Sequence, residues 1–179
     1  MSELKSYCEI KVPIRTSVKW YNKLKSVLDD LPVSWQGKGF HITAVFLEKL
    51  SEQDRMHVRN ALNSALTNYR CQPVTFDKLD VFPAKNDDVY IINLTTSDEE
   101  QPFFDFIDNI RRSIPVKSGI IQSEFRLHVT LGRLAKDAVS ESELAERISK
   151  VRMPQFSLPL KEIAYREYRR NIIERWELR

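Results

Sequence analysis

The chain of 179 residues has a formal net charge of +3, and 42% of its residues are hydrophobic and 30% charged. This length and composition are typical of one ordinary globular domain and exclude a largely disordered chain. The mild positive charge suits an anionic ligand such as a nucleotide or an RNA end, whereas a dedicated duplex binder usually carries a stronger basic stripe.

No apolar run of signal-peptide length follows Met1, and no segment approaches the length of a membrane-spanning helix. We therefore expect a cytoplasmic protein without membrane association. The two cysteines, Cys8 and Cys71, cannot form a disulfide framework and have no paired metal-ligand spacing. Both are predicted to be reduced thiols in or near the core.

The first half of the chain alternates strands and helices. Residues Tyr7 to Ile14 alternate loosely and predict a strand, and Thr16 is expected to cap a helix that ends at Pro32. A strand containing His41 follows after a Gly-Lys-Gly break. Ser51 is then expected to open a second helix.

The second half repeats this mixture. Its predicted elements, in chain order, are a single strand from Val74 to Phe82, a strand from Val89 to Thr95, a helix from near Glu99 to before Pro115, a turn at Ser118-Gly119, a strand from Phe125 to Leu134, a helix opened by Ser140, and a tail of strands from Phe156 to Leu178 bent around Asn171.

Strands that run into hairpins favour an α+β fold with antiparallel sheets over a doubly wound parallel sheet. We predict one domain over residues 1–179 with two lobes, in which each half of the chain supplies two helices and one special strand. The two special strands are expected to face each other across a groove, with the helices outside.

These special strands carry the same pattern, His-apolar-Thr-apolar, at Phe40-His41-Ile42-Thr43-Ala44-Val45-Phe46 and at Leu127-His128-Val129-Thr130-Leu131. Successive strand side chains point to opposite faces, so His41, Thr43 and Val45 should share one face, and His128 and Thr130 the corresponding face of the second strand. The third histidine, His57, lies on a predicted helix and is given no role.

A lone histidine on a strand is usually structural, but two matched copies favour a functional pair. Near neutral pH one imidazole can act as a general acid and the other as a general base, because the unperturbed pKa of histidine is about 6.5. The threonine hydroxyls can donate hydrogen bonds to phosphate oxygens. Peptide hydrolysis fits badly because no nucleophile stands beside either histidine, and the residues fall short of a metal ligand set.

The two motifs, Phe40 to Leu47 and Phe125 to Arg133, resemble the paired H-x-T-x signatures of the two-histidine phosphoesterase superfamily. The most similar branch is the LigT-like RNA 2′,3′-cyclic phosphodiesterases, also called the 2′-5′ RNA ligase family. This resemblance implies a bilobal, pseudo-twofold α+β fold and a metal-independent hydrolase without cofactors that acts on RNA ends or nucleotides. We expect a monomer, although the sequence itself does not determine the oligomeric state. The resemblance also implies that His41 donates a proton, His128 accepts one, and a 2′-phosphate is formed. The sequence by itself does not assign donor and acceptor.

Thr43 and Thr130 would bind phosphate oxygens in such a site, and Arg133 matches the arginine of the family's H-x-T-L-x-R extension. Strict alternation places Arg133 on the face opposite His128 and Arg126 on the same face, unless a bulge re-aims Arg133. Both arginines are therefore candidates for phosphate binding.

Two further functions stay open from the sequence. One is the same chemistry on 2′-5′ linkages or on another cyclic phosphate, including the reverse ligation. The other is a non-catalytic protein that binds nucleotides or RNA ends.

Overall fold

A computed structural model describes residues 5–47, 50–67, 69–70, 72–85, 87–115, 124–167 and 172–179. The elements in chain order are β1 (Ser6–Lys11), α1 (Lys19–Val27), β2 (Ser34–Trp35), β3 (His41–Leu47), α2 (Glu52–Leu66), β4 (Pro73–Phe76), β5 (Lys78–Pro83), β6 (Val89–Thr95), α3 (Pro102–Ser113), β7 (Val129–Ala135), α4 (Glu141–Ser149), β8 (Phe156–Pro159), β9 (Glu162–Glu167) and β10 (Ile172–Glu177).

The strands form two four-stranded sheets and one short ribbon. The first sheet has the order β10-β9-β1-β3, the second has the order β2-β7-β6-β5, and β4 pairs with β8 in the ribbon. All of these pairings are antiparallel. The predicted α+β class with antiparallel sheets is confirmed.

The order of elements along the chain does not indicate which helices pack on which sheet. Helices α2 and α3 pack on the first sheet, while α1 and α4 pack together on the second. Arg147 of α4 reaches Asp30, just after α1, with its Nη1 2.7 Å from Oδ1. Each half of the chain supplies two helices and one special strand, as predicted, but α1 lies with β7 and α3 lies with β3.

Two predicted helix starts are confirmed and one is wrong. The hydroxyls of Ser51 and Ser140 accept hydrogen bonds from the backbone N–H groups of Asp54 and Glu143, as N-caps do. Thr16 caps no helix, because a turn closed by the N–H of Val18 and the carbonyl of Arg15 precedes α1 and takes up Thr16.

The single strand predicted from Val74 to Phe82 is two strands in different sheets. Asp77 separates them, and its carboxylate accepts hydrogen bonds from the backbone N–H and the hydroxyl of Ser97. This contact fixes the chain where it passes from the β4–β8 ribbon into the second sheet.

Residues from both sheets and all four helices form one apolar core, in which Cys8 is fully buried as predicted. Three predictions, the thiol of Cys71, the turn at Ser118-Gly119 and the bend at Asn171, lie outside the described residues. Within the described ranges, none of the helices is long and apolar enough to cross a membrane.

Candidate active site

His41 opens β3 directly after a tight turn. Gly39 has a φ of 69°, a conformation that glycine adopts without steric cost, and its carbonyl oxygen lies 2.8 Å from Nδ1 of His41. Because a carbonyl oxygen can only accept, Nδ1 carries the hydrogen and donates it. This leaves Nε2 as the atom available for proton transfer.

His128 is held in the same way immediately before β7. Its Nδ1 donates to the carbonyl oxygen of Arg126 at 3.0 Å. In both cases the acceptor is the carbonyl two residues before the histidine. Among the residues that the structure describes, neither Nε2 atom has a hydrogen-bond partner.

The two imidazoles lie within electrostatic reach of each other. Strands β3 and β7 belong to different sheets, yet their Cα atoms approach within 8 Å. Burial is the main cause that lowers the pKa of His128, and the positive charges of Arg126, His41 and Arg133 lower it further. The hydrogen bond to Arg126 opposes this shift only in part. His128 is therefore biased toward its neutral form.

A β-bulge in β7 decides where Arg133 points. Asn93 pairs with Thr130 and Ile92 pairs with Gly132, so Leu131 is the extra residue of the bulge. The bulge shifts the alternation by one residue and places Thr130 and Arg133 on the same face. Strict alternation, which separated Arg133 from His128, gives the wrong face.

The first motif has a matching bulge at Ala44, since Val45 pairs with Cys8 and Thr43 pairs with Glu9. Val45 is consequently buried. The prediction that Val45 shares the face of His41 is wrong.

The bulge brings Phe46 to the His41 face. There Phe46 stacks on Tyr7 of β1 at 6.1 Å between ring centroids, and the Tyr7 ring lies 6.5 Å from the imidazole of His41. Phe46 thus occupies the place in the first motif that Arg133 occupies in the second.

A helix on the outer side supports each bulge. Arg111 of α3 donates from Nη1 to the carbonyl oxygen of Ala44 at 3.3 Å. In the second sheet the carbonyl oxygen of Leu131 accepts from the N–H of Gln36 at 2.8 Å and from the Tyr21 hydroxyl of α1 at 3.4 Å. Both bulge carbonyls therefore have donors on the side away from the histidines.

The hydroxyls of Thr43 and Thr130 are free to bind a ligand. Both side chains are half-buried on the faces of their histidines, and within the described ranges neither hydroxyl makes a hydrogen bond. Together with the two Nε2 atoms, these hydroxyls are polar groups that make no hydrogen bond to any described residue.

The two candidate arginines differ in how far they are already engaged. The guanidinium of Arg126 lies 4.1 Å from the centroid of the Phe82 ring, and Nη2 lies 3.7 Å from Oδ2 of Asp80. The edge of Phe82 in turn contacts His128 at 5.2 Å between centroids. Arg133 is exposed and forms no ion pair with any described residue. Arg133 is therefore the freer cation for a phosphate.

Sequence reasoning missed Glu9 and Phe82, which stand beside the histidines. Tyr7 and Glu9 alternate along β1, and Phe82 lies on β5. Tyr7 and Glu9 reach His41 through the register of β1 with β3, and Phe82 reaches His128 through the pairing of β5, β6 and β7, so no local pattern in the sequence indicates these contacts. Among described residues, no group of three His, Cys, Asp or Glu side chains could hold a metal ion.

Comparison with known proteins finds similarity in structure alone. No family model matches the chain, and no curated protein matches it. The solved structure of E. coli LigT with NADP+ matches at a TM-score of 0.62 and 14% identity, over 98% of each chain. Kluyveromyces marxianus Usb1 with uridine monophosphate matches at a TM-score of 0.68 and 11% identity, over 99% of this chain and 100% of that one.

The chain has the fold of the LigT-like two-histidine phosphoesterases. A third structure, of a phosphoesterase, matches at a TM-score of 0.57 and 18% identity over 98% of each chain. These matches extend over nearly the whole length, so the bilobal architecture with pseudo-twofold symmetry is confirmed along with the fold class. The two motifs lie in different four-stranded sheets, on strands β3 and β7 that are neighbours in space.

Proposed function

We propose that this protein is a LigT-like phosphodiesterase that hydrolyses 2′,3′-cyclic phosphates on RNA ends or nucleotides. The observation that carries this proposal is the pair of imidazoles on neighbouring strands, each fixed through Nδ1 to a backbone carbonyl with Nε2 free. A hydroxyl accompanies each imidazole, and Arg133 joins them on the second strand.

The proposed reaction moves one proton at each histidine. Neutral His128 takes a proton from water at Nε2, and the water oxygen attacks phosphorus in line with the 3′ oxygen. The bond from phosphorus to that oxygen breaks, and protonated His41 donates its Nε2 proton to the leaving 3′ oxygen. The products are a 2′-phosphate and a 3′-hydroxyl.

Thr43, Thr130 and Arg133 are assigned to the non-bridging phosphate oxygens. Their hydrogen bonds strengthen as negative charge develops on these oxygens in the transition state. The lowered pKa of His128 supports its role as the base, because the neutral imidazole then predominates at neutral pH. No step in this scheme requires a metal ion or a cofactor.

A nucleotide substrate is supported by the ligands of the similar structures. E. coli LigT has been solved with 3′-AMP, and Usb1 with uridine monophosphate. In this chain, Tyr7 and Phe82 place aromatic rings beside the two histidines, where a base or ribose can pack. The proposal further treats residues 1–179 as one cytoplasmic, monomeric domain.

The test uses 2′,3′-cyclic nucleotides with EDTA present, and chromatography to distinguish 2′- from 3′-phosphate products. His41→Ala and His128→Ala should each lower the rate by about two orders of magnitude or more. His57→Ala is the matched control, since His57 is exposed on α2 and should leave the rate unchanged. Full activity in both site variants would refute the mechanism.

A substrate panel separates the related activities. Turnover of 2′-5′ linkages or of another cyclic phosphate, without turnover of 2′,3′-cyclic ends, would support the proposed mechanism and show that the substrate is a different diester. Measurable affinity for 2′-phosphorylated nucleotides without turnover of any diester would show a binding protein instead.

A further inference from the structure

One carboxylate distinguishes the surroundings of the two histidines. Glu9 pairs across the strands with Thr43, so its side chain stands on the same face as His41. Its Oε2 lies 3.8 Å from Nδ1 of His41, and only 13% of the side chain is exposed. This carboxylate lies behind the imidazole, on the Nδ1 side rather than at Nε2.

An arginine of the next strand fixes the position of Glu9. Nε of Arg166 on β9 lies 2.6 Å from Oε1 of Glu9. The contact is an ion pair, because the N–H of this Nε is not aligned for a hydrogen bond. One oxygen of Glu9 is thus engaged with Arg166, while the other faces His41.

The second motif has a neutral residue at the equivalent position. Asn93 pairs with Thr130 as Glu9 pairs with Thr43, and Asn93 is completely buried. Its amide donates to the carbonyl oxygen of Asp80 at 3.0 Å. The pseudo-twofold relation between the two motifs therefore breaks at one residue, which is a carboxylate beside His41 and an amide beside His128.

The remaining charged groups reinforce this difference. Beside His128 the charges are those of Arg126, Arg133 and His41, and all three disfavour a second positive charge. Asp80, also on that side, is 3.7 Å from Arg126 and 3.1 Å from Lys78. Asp80 therefore lies between two cations.

On the His41 face the described charged groups include Glu9 with Arg166, Lys11 on the adjacent strand, and Lys5, whose Nζ lies 5.8 Å from the centroid of the Phe46 ring. Lys11 pairs with His41 across the strands, but its side chain is 64% exposed and its Nζ is 3.8 Å from Oε2 of Glu162. Glu9 is thus the carboxylate that the structure places against the imidazole of His41.

We propose that Glu9 is a positioning residue that sets the direction of proton transfer by placing a negative charge behind His41. His41, with this carboxylate on its Nδ1 side, then serves as the proton donor, while His128 among cations remains the acceptor. This inference rests on the proposed function for its catalytic consequence. The electrostatic coupling between Glu9 and His41 can be measured without any substrate.

The first measurement is an NMR titration of the histidine ring signals. The chain has only three histidines, so His41→Ala and His57→Ala variants assign the spectrum. A unit charge about 4 Å away shifts a titration midpoint by roughly one pH unit or less where solvent screens it, and by more where it does not. In Glu9→Gln the midpoint of His41 should fall by about 0.5–1 unit, and that of His128 should change much less.

Two further variants make the titration specific. Glu9→Asp keeps the charge and should restore most of the wild-type midpoint of His41. Glu174→Gln removes a carboxylate from the opposite face of the same sheet, where Glu174 pairs with Arg59 of α2 at 2.8 Å, and should leave His41 unchanged. An unchanged His41 midpoint in Glu9→Gln, or an equal shift at His128, would overturn the proposal.

The second measurement is the pH profile of kcat/KM on a 2′,3′-cyclic nucleotide. In Glu9→Gln the alkaline limb, where the donor loses its proton, should move down by the same 0.5–1 unit or so, while the acid limb stays in place. Movement of the acid limb alone would show that Glu9 acts on His128 rather than on His41, and would overturn the proposal. A shifted titration midpoint of His41 without turnover of any substrate would support the coupling between Glu9 and His41 and would refute the proposed phosphodiesterase activity.

Discussion

Replacing Gly132 by alanine tests the bulge that directs Arg133. A Cβ atom at this position would lie 2.8 Å from Cγ1 of Val33 and 3.1 Å from Cε3 of Trp35. Val33 has a short, stiff side chain, and the Trp35 ring is held edge-on against Tyr21 at 5.8 Å. Neither neighbour can move away easily, so β2 or the bulge itself must shift.

Overpacking of this kind costs about 1–3 kcal/mol of the free energy of unfolding. Glycine to alanine also restricts the unfolded chain, which stabilises by about 0.4–1 kcal/mol. Gly37→Ala is the control for this second effect, because Gly37 is exposed and has no atom within 4 Å of an added Cβ. The free energies of unfolding of the two variants should therefore differ by about 1–3 kcal/mol. In a chain of this size each kcal/mol corresponds to about 2–4 °C in Tm.

Chemical denaturation measures this difference. Val33→Ala removes the atom that would clash, so in a double-mutant cycle Gly132→Ala should cost less in the Val33→Ala background. Equal stabilities of Gly132→Ala and Gly37→Ala within about 0.5 kcal/mol would refute the reasoning. Absence of coupling with Val33 would assign the cost to another contact.

Three further predictions concern the site and the core. Arg133→Ala should lower kcat/KM about 10- to 150-fold, which corresponds to the loss of one charge-assisted hydrogen bond. Arg152→Ala, at an exposed position, is the control and should leave kcat/KM unchanged. Equal effects of the two variants would show that Arg133 does not bind the phosphate. Burial lowers the pKa of His128, and its neutral form is the proposed base. The acid limb of the pH profile, along which kcat/KM rises with pH, should therefore have its midpoint below about pH 6.5. A midpoint above that pH would contradict the assignment of His128 as the base. In a Cys71→Ser variant, the remaining thiol of Cys8 should resist thiol reagents until the protein unfolds, since burial raises its pKa; rapid labelling of the native protein would show that β1 opens locally.

Local patterns predicted those features that depend on neighbouring residues in the chain. Ser51 and Ser140 cap their helices as expected, because a cap is formed within four residues. The two His-apolar-Thr strands follow from alternation over three residues. The fold class follows from the order of such elements.

Features that depend on pairing with distant strands were not predictable. Both bulges lie one residue after the threonine, at Ala44 and Leu131, and their carbonyls accept hydrogen bonds from residues distant in the sequence, Arg111 of α3 and the N–H of Gln36. Nothing in the alternation of either motif indicates them, so strict alternation gives the wrong face for Val45, and it gives the right face for Arg133 only with the bulge that was left open. Glu9 was missed because its proximity to His41 depends on the register of β1 against β3.

The interlacing of the two sheets has a consequence for synthesis of the chain. Strand β3 lies in a sheet that β9 and β10 complete, and α1 packs on a sheet whose strands β5 to β7 come later. Many contacts therefore join segments far apart in the sequence, a topology that slows folding. Arg166, the partner of Glu9, is among the residues translated late. A nascent chain that already carries Glu9 and both histidines thus still lacks Arg166, the charge partner of Glu9, and the site can reach its final electrostatic state only after the late strands have joined the first sheet.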